Sequence, residues 1–105
     1  MDLLEQLNLL TDTVIKTLDQ NKEFKILLVT QSEVLIKVYA TGKVRNISIQ
    51  CLRDAYSDLQ KNRELTRIDI EKKYSPRNPA YVAALLSKLQ GVTHRVKPIT
   101  LQYHD

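Results

Sequence analysis

The amino-acid sequence predicts a single-domain α+β protein that consists of an N-terminal helix, a three-stranded antiparallel meander, a three-helix unit and a C-terminal strand. Three observations support this prediction. Apolar residues recur at helical spacing in the first 22 residues, β-branched residues dominate residues 24–49, and two short helical patterns are separated by prolines between residues 66 and 89. A chain of 105 residues can bury one core without a metal or a disulfide.

The N-terminal segment, residues 1–22, is predicted to be an amphipathic helix. Its apolar positions step by alternating intervals of four and three residues, through Leu3, Leu7, Leu10 and Val14. Such a stripe can pack on the domain's own sheet, or it can pair with a second copy of the chain. Because nothing downstream requires so wide an apolar helix, we expect self-association through these four residues and therefore a homodimer.

Residues 24–49 are predicted to form the meander. The runs FKILLVT, EVLIKVYA and KVRNISI have the composition of strands, and Thr41 and Gly42 form a tight-turn signal before the third strand. Lys43 and Arg45 fall on or beside this hairpin tip. They either add to a basic surface or protect an edge strand from aggregation.

The three-helix unit covers residues 48–91. A first helix, capped by Ser48 or Asn46, is predicted to run to about residue 62. Thr66 and Asp69 have capping-box spacing, which predicts a second helix over residues 67–74. Asn78 is a suitable N-cap for a third helix that begins at Pro79 and ends before Gly91.

A short helix, a turn of about four residues and a second helix with polar residues at its N-terminus resemble the helix-turn-helix of winged-helix and related domains. This resemblance covers about residues 48–105. We call the three-helix unit of residues 48–91 the helix-turn-helix-like unit. The matching positions are Leu65, Thr66, Ile68 and Ile70 in the first helix and residues 77–89 in the second. The resemblance implies that the second helix enters the major groove of DNA, with Arg77, Asn78 and Tyr81 closest to the bases.

Charge is distributed unevenly along the chain. The net charge is +4, yet residues 1–22 carry four acids and two bases, and residues 72–104 carry six bases and no acid. An uneven positive field of this kind attracts polyanions, although a solvated basic face without a ligand has the same composition. We expect phosphate contacts, with DNA the favoured partner, from Lys72, Lys73, Lys88, Arg95 and Lys97.

Residues 92–105 are predicted to form one strand that pairs with the meander. A full wing needs a hairpin, but no Gly or Asn turn follows Gly91 that would reverse the chain. The resemblance would otherwise place His94, Arg95 and Lys97 near the DNA backbone.

No enzymatic motif is present. The single Cys51 excludes an intramolecular disulfide and a cysteine-based zinc site, and two glycines are too few for a phosphate-binding loop. Asp54 and Asp58 lie one helical turn apart without a third ligand. We therefore expect no catalytic, cofactor-binding or metal-binding residues.

The sequence also lacks a membrane-spanning apolar run and the basic region of a signal peptide, so a cytoplasmic location is the default expectation. The favoured function is a small nucleic-acid-binding regulator. The alternative is a non-enzymatic protein-protein interaction or assembly module.

Overall fold

The computed structural model describes residues 1–105 and contains four helices and seven strands. In chain order they are α1 (Leu3–Leu9), β1 (Val14–Lys16), β2 (Glu23–Val29), β3 (Glu33–Val38), β4 (Val44–Ser48), α2 (Ile49–Asn62), β5 (Glu64–Thr66), α3 (Arg67–Lys73), α4 (Pro79–Ser87), β6 (Val92–Arg95) and β7 (Thr100–Tyr103). The strands form two antiparallel sheets, one with the order β1-β2-β3-β4 and the other with the order β5-β7-β6. The α+β class predicted from the sequence is confirmed.

The predicted N-terminal helix over residues 1–22 is wrong beyond Leu9, where α1 ends. Leu10 is the C-cap of α1, Thr11 bridges Ile26 of β2, and Asp12 then takes a left-handed conformation with φ of 65°, so the chain does not continue as a helix. The following β-branched residues then pair with β2, with Val14 opposite Lys25 and Ile15 opposite Phe24. Their β propensity and the partner strand outweigh a helical spacing that local sequence alone favoured.

The apolar stripe expected to form a dimer seam is therefore divided between the core and the surface. Leu3 is 5% exposed and Leu7 is 0% exposed, and both belong to the hydrophobic core. Leu10 is half-buried at the end of α1, while Val14 is exposed on a strand. These four residues share no helical face, so the structure gives no support to the expected homodimer through them.

The meander is present as β2, β3 and β4, and β1 adds a fourth strand at its edge. Its inward-facing residues, among them Phe24, Ile26 and Ile36, are fully buried. Gly42 takes a φ of +69° in the turn between β3 and β4, where a residue without a Cβ costs least.

Two of the three predicted caps in the helix-turn-helix-like unit are formed. Ser48 caps α2, and the capping box of Thr66 and Asp69 at α3 is formed in both directions. The placement of Leu65 and Thr66 in its first helix is wrong, because both belong to β5, where pairing with β7 holds them in an extended conformation. Helix α4 begins at Pro79, as expected. It packs against α2 and α3, and also against β1 of the four-stranded sheet.

Helix α4 consequently has little exposed surface. Residues Val82 to Leu86 are all 0% exposed. The four-stranded sheet thus covers part of the helix that the resemblance would place in a groove of DNA.

The prediction of a single C-terminal strand on the meander is wrong, because residues 92–103 form a hairpin. Strands β6 and β7 pair with each other, and β7 pairs with β5 in a second sheet. The chain reverses over residues 96–99, where Lys97 has a φ of +67° and the Lys97–Pro98 peptide bond is cis. Leu101, which is 0% exposed, lies opposite Leu65, so burial of apolar side chains favours this pairing.

One hydrophobic core of 22 residues joins all parts of the chain. It extends from Leu7 in α1 through Phe24 and Ile36 in the large sheet to Leu85 in α4 and Leu101 in the small sheet. None of the four helices has both the length and the apolar character needed to cross a membrane.

Candidate functional site

A cleft of about 690 Å³ opens where the two sheets and the helix-turn-helix-like unit meet. Its walls come from the β1–β2 connection, strand β4, the N-termini of α3 and α4, and the β6–β7 turn. We call it the basic cleft, because its charged side chains are five cations and one carboxylate: Lys22, Arg45, Arg67, Arg77, Lys97 and Asp19.

Backbone hydrogen bonds fix the segments that carry three of the cleft cations, Lys22, Arg67 and Lys97. The N–H of Lys22 donates to Oγ1 of the buried Thr17 at 2.9 Å, which closes the β1–β2 connection. The N–H of Arg67, next to the Thr66 cap, donates to the Ile99 carbonyl at 3.1 Å. That bond ties the start of α3 to the β6–β7 turn, which carries Lys97.

Arg45 is the innermost cation, and its guanidinium is held by two neighbours. Its Nη1 donates to Oδ1 of Asn78 at 3.1 Å. Its Cζ lies 5.4 Å from the centre of the Tyr81 ring, within cation–π range. Tyr81 in turn packs edge-on against Phe24, with ring centroids 5.2 Å apart. The Nε atom of Arg45 is buried, and no protein group accepts a hydrogen bond from it.

Few carboxylates neutralise these cations. The protein has four ion pairs, and only the pair between Arg67 and Glu71, at 3.1 Å, involves a cation of the basic cleft. Lys22, Arg45, Arg77 and Lys97 have none. The basic cleft is therefore a concentrated positive site with a small compensating negative charge.

The N-terminus of α4 adds partial positive charge to the same place. Asn78 occupies the N-cap position, but its side chain accepts from Arg45 and makes no cap hydrogen bond. The predicted capping role of Asn78 is therefore wrong. The backbone N–H groups of Ala80 and Tyr81, two residues that line the cleft, donate to no protein acceptor. Free N–H groups at a helix start favour anions.

The structure brings together half of the residues predicted to contact nucleic acid. Arg77, Asn78, Tyr81 and Lys97 line the basic cleft. Asn78 and Tyr81 are half-buried and engaged with Arg45 rather than projecting freely from the helix.

The other four predicted contacts lie away from the basic cleft. Lys72 and Lys73 are exposed at the end of α3, and Lys88 is exposed at the opposite end of α4. Arg95 pairs with Glu64 at 3.3 Å on the small sheet.

Sequence reasoning missed Lys22, Arg45 and Arg67 as members of this site. Arg45 carried a usable signal, because it lies two residues before Ile47 on the same strand. Alternation along a strand places both side chains on one face, and Ile47 is 2% exposed. An arginine on the inward face of a strand indicates a partner or a ligand. Lys22 and Arg67 reach the cleft only through long-range packing.

Three other titratable groups with shifted pKa values, Tyr74, Asp58 and Cys51, lie outside the basic cleft. The Tyr74 hydroxyl donates to Oδ2 of Asp58 at 2.5 Å and joins α3 to α2. Partial burial and this bond raise the pKa of Tyr74 to about 12, and the same bond lowers the pKa of Asp58. Burial, with a smaller contribution from Asp54, raises the pKa of the Cys51 thiol, which disfavours the nucleophilic thiolate.

No known protein family, curated protein or solved structure is significantly similar to this chain. The geometry of the basic cleft therefore carries the functional argument.

Proposed function

We propose that this chain is a non-enzymatic nucleic-acid-binding protein that holds the sugar-phosphate backbone of a strand in the basic cleft. One observation carries the proposal: five cations converge on one cleft with a single carboxylate, and four of them have no ion pair. Unpaired like charges repel one another, so a folded protein that brings them together gains most from an anionic ligand.

The layout around the cleft supports the same function. A hairpin follows the helix-turn-helix-like unit, in the position of the wing in the domains that this unit resembles. Lys97 lies in the turn of that hairpin and lines the cleft. The hairpin, the start of α3 and the start of α4 thus present cations to one ligand from three sides.

The proposed binding mode differs from insertion of a helix into the major groove. A helix that reads bases exposes one face along several turns, whereas Val82 to Leu86 of α4 are fully buried. Arg77 and Lys97 would contact phosphates, which position a strand without reading its sequence. We therefore expect weak sequence preference and strong dependence on salt.

The direct test is fluorescence anisotropy with labelled random-sequence oligonucleotides, in single-stranded and duplex forms. The combined substitutions Arg77→Ala and Lys97→Ala should weaken binding at least about tenfold, because each phosphate contact contributes on the order of 1 kcal/mol. The combined substitutions Arg53→Ala and Lys61→Ala are the control matched for charge, since both residues are exposed on α2 outside the basic cleft. An equal loss of oligonucleotide affinity in the cleft variant and the control variant, or no binding of the unaltered protein to any strand, would contradict the proposal.

A protein-interaction module remains the second candidate, and the outer face of the four-stranded sheet favours it. Val14, Leu28 and Val44 are 48%, 50% and 53% exposed. The strand registers place them on one face with the half-buried Leu35. Leu28 and Leu35 are neighbours across their strands, whereas Lys25 and Lys37 lie between Val14 and Val44, so apolar and cationic side chains share this face. Exposed apolar side chains on an open sheet face occur at contact surfaces between proteins. Mutation of this face should leave oligonucleotide binding unchanged if the basic cleft is the functional site.

A further inference from the structure

The residues that line the basic cleft carry several hydrogen-bond donors that the protein itself does not use. The buried Nε of Arg45 and the N–H groups of Ala80 and Tyr81 have no protein acceptor, and all three residues line the cleft. The Arg77 side chain, which also lines the cleft, adds a cation without an ion pair.

These donors match a terminal phosphate better than an internal one. A phosphate monoester carries about −1.5 to −2 charges near neutral pH and three strong acceptor oxygens. An internal phosphodiester carries a single negative charge and has one fewer free oxygen. Arginine donors and helix N-termini are both recurrent phosphate ligands, and here the two converge.

The guanidinium of Arg45 is held in one place before any ligand arrives. Asn78 accepts from its Nη1 at 3.1 Å, and its Cζ lies over the Tyr81 ring, 5.4 Å from the ring centroid. Phe24, 0% exposed, fixes the Tyr81 ring in turn. A side chain that is already ordered loses little conformational entropy on binding, so its hydrogen bonds contribute more fully to affinity. Lysine could not replace it, because an ammonium group lacks the planar fork.

We propose that the basic cleft binds the terminal phosphate of a nucleic-acid strand, so that the protein prefers phosphorylated strand ends to internal backbone. This inference rests on the proposed function, because it names the part of the nucleic acid that the same cleft takes. The cleft volume of about 690 Å³ is in the range typical of sites for small ligands, which is compatible with the end of a strand.

The test compares single-stranded oligonucleotides of one sequence that carry a 5′-phosphate, a 3′-phosphate or hydroxyl groups at both ends. Anisotropy at constant ionic strength should show about tenfold tighter binding of one phosphorylated strand than of the hydroxyl strand, since charge-assisted hydrogen bonds are the strong ones. Arg45→Lys keeps the positive charge but lacks the planar fork, so it should reduce this preference towards unity, with a larger loss of affinity for the phosphorylated strand than for the hydroxyl strand.

A measurement on the unaltered protein keeps the test valid if Arg45→Lys does not fold. Inorganic phosphate should compete with the phosphorylated strand more strongly than chloride at the same ionic strength. It should compete with the hydroxyl strand no more than chloride does.

Failure of this inference can be distinguished from failure of the proposed function. Equal affinity for all three strand ends would overturn the terminal-phosphate inference and leave nucleic-acid binding intact. Thermal stabilisation by inorganic phosphate without binding of any strand would overturn both, and would assign the cleft to a small phosphate ester. A phosphoserine peptide that binds as tightly as the phosphorylated strand would overturn the assignment to nucleic acid.

Discussion

Arg45 of β4 donates a hydrogen bond to Asn78 at the start of α4, across 33 positions of sequence. This contact joins the four-stranded sheet to the helix-turn-helix-like unit, and it places a guanidinium beside a helix N-terminus whose first free N–H groups are uncapped. Both the architecture of the basic cleft and its charge depend on this pair.

Replacement of Asn78 by aspartate should separate stability from binding. An aspartate there would pair with Arg45 and could cap α4, which should raise the free energy of unfolding by about 0.5–1 kcal/mol. The same carboxylate would neutralise Arg45 and repel phosphate, so oligonucleotide affinity should fall. Thermal unfolding and anisotropy measure the two effects. Asn8→Asp on the exposed side of α1 is the control for net charge, and an equal loss of affinity in that variant would contradict the local explanation.

Leu7 tests whether α1 belongs to the core or to a dimer seam. Because Leu7 is 0% exposed, Leu7→Ala should lower the free energy of unfolding by about 2–4 kcal/mol. Leu9→Ala on the same helix, at a position 69% exposed, should change it by less than about 0.5 kcal/mol. Urea unfolding at two protein concentrations is the measurement. A midpoint that rises with concentration and loses this dependence in Leu7→Ala would instead indicate a dimer formed through α1.

The two glycines of the chain should respond differently to alanine. Both have positive φ, +69° at Gly42 and +81° at Gly91. A Cβ at Gly91 would lie 2.7 Å from the carbonyl oxygen of His104 and 2.7 Å from the Tyr103 ring, whereas nothing lies within 4 Å of one at Gly42. Gly42→Ala should therefore lower the free energy of unfolding by about 1 kcal/mol, because only the backbone conformation is strained. Gly91→Ala should lower it by distinctly more, because the added Cβ also clashes. Equal shifts in chemical denaturation would mean that β7 does not pack against Gly91 as described.

The hydrogen bond between Tyr74 and Asp58 predicts a pH-dependent contribution to stability. The pKa of Tyr74 is raised in the folded protein to about 12, from an ordinary value of about 10. The contribution of Tyr74 to the free energy of unfolding is therefore fully present below pH 10 and is lost as pH rises from 10 to 12. The pKa of Asp58 is lowered in the folded protein. The contribution of Asp58 to the free energy of unfolding is therefore fully present above the ordinary pKa of an aspartate and is lost as pH falls through the lowered pKa.

Tyr74→Phe should therefore destabilise the protein by about 0.5–1 kcal/mol near neutral pH, a modest amount because solvent screens this partly exposed pair. The difference from the unaltered protein should shrink at both pH extremes. Tyr39→Phe, at a position 44% exposed, is the control. A difference between Tyr74→Phe and the unaltered protein that stayed constant from acid to alkaline pH would exclude this bond as its cause.

Local chemistry made the helix-turn-helix-like unit predictable. The capping box of Thr66 and Asp69 and the position of Pro79 act within a few residues, so the sequence alone indicates where α3 and α4 begin. The strands of the meander were predictable for the same reason. Residues 11–17 were not, because their apolar spacing fits a helix while their β-branched residues fit a strand. Pairing with β2 decides between these two conformations.

The basic cleft could be predicted only in part, because its members come from distant elements. Arg77 lies between Pro76 and Pro79 and Tyr81 follows Pro79, so both were predicted from the turn and the helix start that these prolines define. The role of Arg45 depends on its contact with Asn78, and that of Lys22 on the position of the β1–β2 connection. The reversal at Lys97 carries no glycine or asparagine signal, so the hairpin that brings this lysine to the cleft was also missed.

The salt dependence of oligonucleotide binding tests the central claim most directly. Because each neutralised phosphate releases counterions, the slope of log K against log salt should be steep, and it should become shallower by about 0.7 for single strands when Arg77 or Lys97 is replaced by alanine. Lys88→Ala should leave the slope unchanged, since Lys88 lies at the far end of α4. Binding that is independent of salt, or a slope that changes equally in all three variants, would contradict an interface centred on the basic cleft.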